Sequence, residues 1–270
     1  MDYPIKLLST DFDGTLHADF EEPRVALAAQ RMISELQDKG AVWVINTGRE
    51  LPSLLESLEQ ARLSIRPDYV VTVEREIHER REARYTGLAD WNSRCGLAHE
   101  QLFAHVESDV PRLAGWISSR FEAKVYSDAY SPLCLIAQSS PDADIIHDYL
   151  NGYCRTVPNL TVVRNHIYAR LSHADYNKGS ALAEIAHRRG ITSDQIVAAG
   201  DHLNDLPMLS SVFARWLIAP SNAVEEVKES VRQQNGYVSD EPYGYGLARG
   251  LEIILESWRA IRKTASRIDK

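Results

Sequence analysis

Short apolar runs alternate along this chain with longer stretches in which apolar residues recur every three or four positions. The first run, Ile5-Lys6-Leu7-Leu8-Ser9-Thr10, reads as a buried strand. Val25, Ala29, Met32, Ile33 and Leu36 then keep helical spacing, with Pro23 near the helix start and Gly40 at its end. Ala41 to Ile45 predicts a second buried strand, Leu54, Leu55 and Leu58 mark a second helix, and Tyr69 to Val73 predicts a third strand after Pro67. Strand, helix, strand, helix, strand is the rhythm of an α/β fold with a doubly wound parallel sheet.

The rhythm then changes. Glu74 to Arg84 is a dense run of mixed charge that reads as a boundary or solvated connection. Leu102, Val106, Val110, Leu113 and Ile117 predict a helix that Pro111 should kink or split. Strand candidates follow at Ala123 to Tyr126 and Leu133 to Ala137, then a helix over Asp142 to Tyr153, then strands at Leu160 to Val163 and Ile167 to Leu171. Helix, two strands, helix, two strands predicts a small α+β layer with its own antiparallel sheet. From Lys178 the first rhythm returns. It runs through a helix closed by Gly190, strands at Ile196 to Ala199 and Trp216 to Ala219, a helix with Val224, Val227 and Val231, and a last helix with Leu251, Ile254 and Leu255. The expected organisation is a core over 1–83 and 172–270, interrupted by an inserted domain over 84–171.

Composition narrows the function. The chain has 270 residues, 44% of them hydrophobic and 25% charged, as in a globular protein. A net charge of −8 argues against nucleic acid as a partner. An anionic substrate must then be recruited by local positive groups or a cation. No apolar stretch approaches a membrane span, and the N-terminus enters the first strand without a signal peptide. Cys95, Cys134 and Cys154 are odd in number and widely spaced, which fits a reducing, cytoplasmic setting. The basic end, Arg259 to Lys270, reads as a solvated helix end and tail. The pattern assigns no oligomeric state.

Four polar segments stand beside predicted core elements: Asp11-Phe12-Asp13-Gly14-Thr15, Thr47-Gly48-Arg49, Lys178-Gly179, and Gly200-Asp201-His202-Leu203-Asn204-Asp205. In an open parallel sheet such segments line one crevice at the carboxyl ends of the strands. Asp11 and Asp13, two residues apart, are costly as neighbouring charges unless a cation or a shared proton offsets them. Asp11, Asp13 and Asp201 offer hard oxygen ligands suited to magnesium. Thr47 and the backbone amides at Gly48 are donors for phosphate oxygens, and Lys178 brings a compact positive charge. Asn204 and Asp205 would hold a metal-bound water or orient Lys178. Arg49 would reach substrate or the inserted domain, or form a structural ion pair.

In order and in kind, DFDGTL, NTGR, NKG and GDHLND resemble the phosphatase motifs of the haloacid dehalogenase-like (HAD) hydrolase superfamily. The insertion between the second and third motifs resembles the Cof-type, type IIB branch of sugar phosphatases. The resemblance covers the whole chain and implies a HAD core with an α+β cap. It implies Asp11 as a nucleophile that becomes an aspartyl-phosphate, and Asp13 as the acid that protonates the leaving oxygen and then activates water. It also implies magnesium held by Asp11, the Asp13 backbone carbonyl and Asp201, with Thr47 and Lys178 on the transferring phosphoryl group. The substrate would be a small phosphorylated metabolite, a sugar or polyol phosphate. Two alternatives are phosphotransfer of the phosphomannomutase type and a non-catalytic phosphometabolite-binding protein. The chain departs from the branch at Val73-Glu74-Arg75-Glu76, where Asn-Gly-Ala is usual, and at Ala219-Pro220-Ser221, where a glycine-containing turn is usual.

Overall fold

The computed structural model describes residues 3–268, with side chains up to residue 260. Strand β1 (Leu7–Thr10), helix α1 (Leu27–Asp38), β2 (Val42–Asn46), α2 (Leu51–Gln60) and β3 (Tyr69–Thr72) follow in the expected order. The chain then doubles back through β4 (Glu76–Arg81) and β5 (Arg84–Gly87), which pair antiparallel to β3 and to each other. This corrects the expectation of a solvated connection over Glu74 to Arg84. The charges belong to a hairpin that forms the sheet margin, and charge on an edge discourages further pairing. They also find partners: Tyr69 donates to Glu79 at 2.8 Å, and Arg80 reaches Asp68 at 3.1 Å. The β3–β4 turn sets Val73 at φ 44° and Glu74 at φ 67°, a left-handed conformation rare for a β-branched residue. No glycine announces that turn.

The next segment forms its own layer. Helix α3 (Ala89–Val106) gives way to a 3₁₀ turn over Glu107–Asp109 and then to α4 (Val110–Ser118). Pro111 sits in the first turn of α4, where its missing N–H costs nothing, so it splits the helix as its sequence position predicts. Strands β6 (Lys124–Tyr126) and β7 (Cys134–Ile136), helix α5 (Ser140–Cys154), and strands β8 (Leu160–Asn165) and β9 (Tyr168–His173) complete it. The four strands lie in the order β6-β7-β9-β8, all antiparallel. Leu113, Ile117, Leu135, Ile146, Leu150 and Leu171 form its core.

Helix α6 (Lys178–Arg189), β10 (Ile196–Ala199), β11 (Trp216–Ala219), α7 (Glu225–Gln233), β12 (Tyr237–Val238) and α8 (Tyr243–Ile268) return to the first sheet. Its order is β12-β11-β10-β1-β2-β3-β4-β5, parallel from β12 to β3. Leu8, Trp43, Ile45, Val197 and Ile218 pack with α1, α2 and α8 on one face. Each fully buried side chain of this size contributes about 1.5–3 kcal/mol. The basic tail beyond residue 260 lies outside the described side chains. Contacts group the chain into one unit up to Gly87 with Lys178–Asp201 and Asp205 onward, and a second of Leu88–Asn177 with His202–Asn204.

Within the second unit, two buried histidines join α3 to β9. His99 Nε2 accepts the His173 amide at 3.1 Å, so its hydrogen sits on Nδ1, 2.8 Å from the Cys95 carbonyl. His173 Nδ1 accepts the Asp175 amide at 3.2 Å, and burial lowers the His173 pKa from its ordinary value. A folded-state value below the unfolded one means that the unfolded chain binds the proton more readily. The stability is therefore present above the unfolded value of about 6.5 and is lost as pH falls toward the folded one. Amide exchange over residues 168–173 should accelerate between pH 7.5 and 5.5 beyond the intrinsic rate change, and less so in His173→Phe. Identical acceleration in both proteins would reject this linkage.

Candidate active site

Three segments begin where parallel strands end. After β1, the Asp11 amide donates to the Ala199 carbonyl at 2.9 Å, carrying the sheet pairing one residue further. The chain then closes a tight turn, with Leu16 N–H to Phe12 O at 3.0 Å and His17 N–H to Phe12 O at 2.8 Å. Gly14 makes this possible at φ +83°, and a Cβ there would lie 2.3 Å from Asp201 Oδ2. The absent side chain is what lets Asp201 approach Asp11. Thr15 Oγ1 donates to Asp201 Oδ1 at 2.7 Å, and Asn222 Nδ2 to the Gly14 carbonyl at 2.7 Å.

After β2, Thr47 N–H continues the pairing to Val71 O at 2.9 Å, and Thr47 Oγ1 accepts the Arg49 amide at 3.2 Å. The β3–β4 turn clasps this loop: Val73 N–H donates to Arg49 O and Glu74 N–H to Thr47 O, each at 2.9 Å. Gly48 leaves room for the Glu74 carboxylate, which a Cβ would meet at 3.3 Å. After β10, Gly200 passes so close to Asp205 that a Cβ would meet its side chain at 2.5 Å. Asp205 Oδ2 accepts the Asp201 amide at 2.9 Å. Asn204 is buried in the same 3₁₀ turn, Leu203–Asp205. Asn46 Nδ2 ties the end of β2 to the start of α6, donating to the Lys178 carbonyl at 2.9 Å.

At the centre lies Lys178, which is wholly buried. Its ammonium donates to Asp11 Oδ1 and to Asp205 Oδ1, both at 2.6 Å. Burial alone would lower its pKa, but the two carboxylates outweigh that and raise it, so the lysine stays charged. One ammonium does not balance the acids around it. Burial and the Asp205 carboxylate push Asp11 well above the ordinary range, and the same two causes push Asp201 up to about 7. Oxygens of Asp11, Asp201 and Asp205 lie within 4.8 Å of one another. Excess negative charge on hard oxygen donors is what a divalent cation such as magnesium offsets. Since Asp205 is occupied by Lys178 and the Asp201 amide, Asp11 and Asp201 are the carboxylates left for it.

Asp13 faces a different set of groups. Arg49 grips it bidentately, Nε to Oδ2 and Nη2 to Oδ1, both at 2.6 Å, and also donates to Ser57. Partial burial would raise the Asp13 pKa, but His17 and Arg49 hold it below the ordinary value. Of the roles open to Arg49, the structure displays the ion pair. His17 had no motif to mark it: a single histidine after DFDGTL carries no signal in one sequence.

Residues 118–242 match the family described as haloacid dehalogenase-like hydrolase, and residues 4–113 match sucrose-6F-phosphate phosphohydrolase. A 5-amino-6-(5-phospho-D-ribitylamino)uracil phosphatase of Bacillus subtilis is 24% identical, covering 93% of this chain and 96% of its own length. A phosphoglycolate phosphatase of Methanopyrus kandleri is 28% identical, covering 93% and 97%. The crystal structure of Synechocystis sucrose-phosphatase with sucrose and phosphate superposes with a TM-score of 0.66 at 21% identity, over 92% of this chain and 97% of that one. Along most of its length the chain is thus similar to haloacid dehalogenase-like hydrolases, and it shares the α/β fold of their solved structures. Both of these full-length relatives are named as phosphatases.

Removing Lys178 leaves two buried carboxylates without their cation. Lys178→Met should cost about 3–5 kcal/mol in urea unfolding, the usual penalty for breaking a buried ion pair from one side. A loss under about 1 kcal/mol would mean that the site tolerates unpaired acids.

Proposed function

We propose that the protein is a magnesium-dependent phosphomonoester hydrolase that works through an aspartyl-phosphate on Asp11. The observation that carries this reading is the environment of Asp11. Lys178 holds Oδ1, while Oδ2 has no hydrogen-bond partner among the described residues. A carboxylate anchored through one oxygen presents the other in a fixed direction, the arrangement a nucleophile needs. Lys178 also offsets charge on the phosphoryl group as it transfers, and Thr47 with the Gly48 amide donates to its oxygens. As the bond from Asp11 to phosphorus forms, the bond from phosphorus to the leaving oxygen breaks, and Asp13, parted from Arg49 and carrying a proton, supplies that proton. Asp13 then takes a proton from water as water attacks phosphorus and frees Asp11.

Asp11, Asp201 and the Asp13 backbone carbonyl would hold the magnesium. When bound, it supplies positive charge against the acids and the phosphate. The all-oxygen donor set and the unbalanced charge of the acid cluster support that choice. A small phosphorylated metabolite is the proposed substrate, a sugar or polyol phosphate. Full-length relatives named for a phosphoribityl-bearing uracil and for phosphoglycolate support the size class, and the match to sucrose-6F-phosphate phosphohydrolase supports the sugar. Among the described residues no helix is long and apolar enough to cross a membrane. None of the three cysteines is in a disulfide, all three are buried, and burial pushes Cys134 and Cys154 up to about 12, which fits a cytoplasmic enzyme.

Phosphate release from phosphorylated sugars, polyols and 4-nitrophenyl phosphate should require magnesium and vanish in Asp11→Asn. An isomerised sugar phosphate in place of free phosphate would turn the reading toward phosphotransfer. Magnesium at 100 times its dissociation constant should stabilise the fold by about 2.7 kcal/mol, seen as a rise in Tm. Asp201→Asn should abolish that rise, and an unchanged rise in the variant would place the cation elsewhere.

A further inference from the structure

His17 is buried, 1% exposed, yet neither ring nitrogen has a hydrogen-bond partner among the described residues. Buried polar atoms are nearly always paired, and a phenylalanine would fill this place without the cost of desolvating two nitrogens. Each nitrogen nevertheless points at an acid. Nδ1 lies 3.6 Å from Asp13 Oδ1, and Nε2 lies 3.7 Å from Asp19 Oδ1. Asp19 is exposed and also stands 3.8 Å from Arg24 Nη1.

The ring cannot drift from this position. It stacks flat on Phe12, centroids 4.5 Å apart and planes 12° from parallel. Its backbone is fastened on both sides, accepting from Gly14 N–H at 2.9 Å and donating to Phe12 O at 2.8 Å, and it bridges to Val25. Arg49 lies against the same Phe12 ring at 5.4 Å while holding both oxygens of Asp13. Those oxygens are therefore committed to a guanidinium, and Asp13, His17 and Asp19 are not left open for a cation, although their ligand atoms lie close together.

We propose that His17 is a positioning residue for Asp13, acting with Arg49 to hold its carboxyl where it meets the leaving oxygen. The inference rests on the role given to Asp13 above. To hand its proton to the leaving oxygen, Asp13 must loosen its grip on Arg49. The fixed Nδ1 beside Oδ1 then keeps the carboxyl pivoting in place, where otherwise it would swing into solvent. In the step served, the Asp11–phosphorus bond forms, the phosphorus–leaving-oxygen bond breaks, and the Asp13 proton passes to that oxygen.

The test compares leaving groups. Nitrophenolate departs with little help from an acid, phenolate needs more, and an alkoxide needs most. Steady-state kinetics on 4-nitrophenyl phosphate, phenyl phosphate and glucose 6-phosphate should show a loss that grows along the series. In His17→Phe, which keeps the stacking on Phe12, kcat should fall about 3-fold on the first and about 30-fold or more on the last, with KM little changed. His17→Asn, which restores a donor near Nδ1, should recover much of the difference. Equal losses on all three substrates, no loss, or an Asn variant no better than Phe would overturn the proposal. Asp13→Asn, run alongside, must itself show the growing loss. If it does not, the role of Asp13 has failed, and the inference about His17 falls with it. If it does and His17→Phe does not, only the inference about His17 has failed.

Discussion

The ammonium of Lys178 is buried away from bulk solvent, between two carboxylates that belong to different parts of the chain. Stripping such a charge of its hydration costs several kcal/mol, recovered only if the partners are close and correctly aimed. Asp11 is aimed by the end of β1, Asp205 by the turn that Gly200 permits, and Lys178 by the start of α6. None of the three is tolerable alone at its depth. Gly179, directly after Lys178, carries the same demand: a Cβ there would meet the Pro207 carbonyl at 2.3 Å. Gly200, against Asp205, and Gly179, beside Lys178, are thus part of packing three charges into a buried space.

The acids grade outward from that centre. Asp205 is wholly buried and saturated, Asp11 keeps one oxygen open, and Asp13 is partly exposed and paired with a guanidinium. This grading gives like residues different surroundings: one carboxylate saturated, one with an open oxygen, and one held by a guanidinium at the edge of solvent. Chemically identical side chains are distinguished only by what surrounds them.

Much of this was legible in the residues. The apolar runs located the parallel strands, because strands buried on both faces are nearly continuous in hydrophobicity. DFDGTL, NTGR, NKG and GDHLND located the loops, and the contact between Lys178 and Asp11 joins two of them. The hairpin β4–β5 was hidden because an edge strand has little apolar face to advertise, and because Val73 and Glu74 make its turn without glycine or asparagine. The pairing of Arg49 with Asp13 depends on a long side chain choosing among partners, which spacing along one sequence does not decide. His17 was invisible for a related reason: its meaning lies in the flat stacking on Phe12 and in the two acids facing its edges.

The central strand has a history as well as a place. On one side β1 pairs with β2, which follows soon after it in the chain; on the other it pairs with β10, with Leu7 opposite Ile196. During synthesis the flank of β1 that will carry Asp11 therefore stays bare until the whole insertion has left the ribosome. Contacts of such long range are slow to form, and an apolar strand edge left open invites other chains. The inserted unit closes its own antiparallel sheet in that interval. The nascent chain thus carries a finished domain in the middle of an unfinished one, and Asp11 is made first and enclosed last.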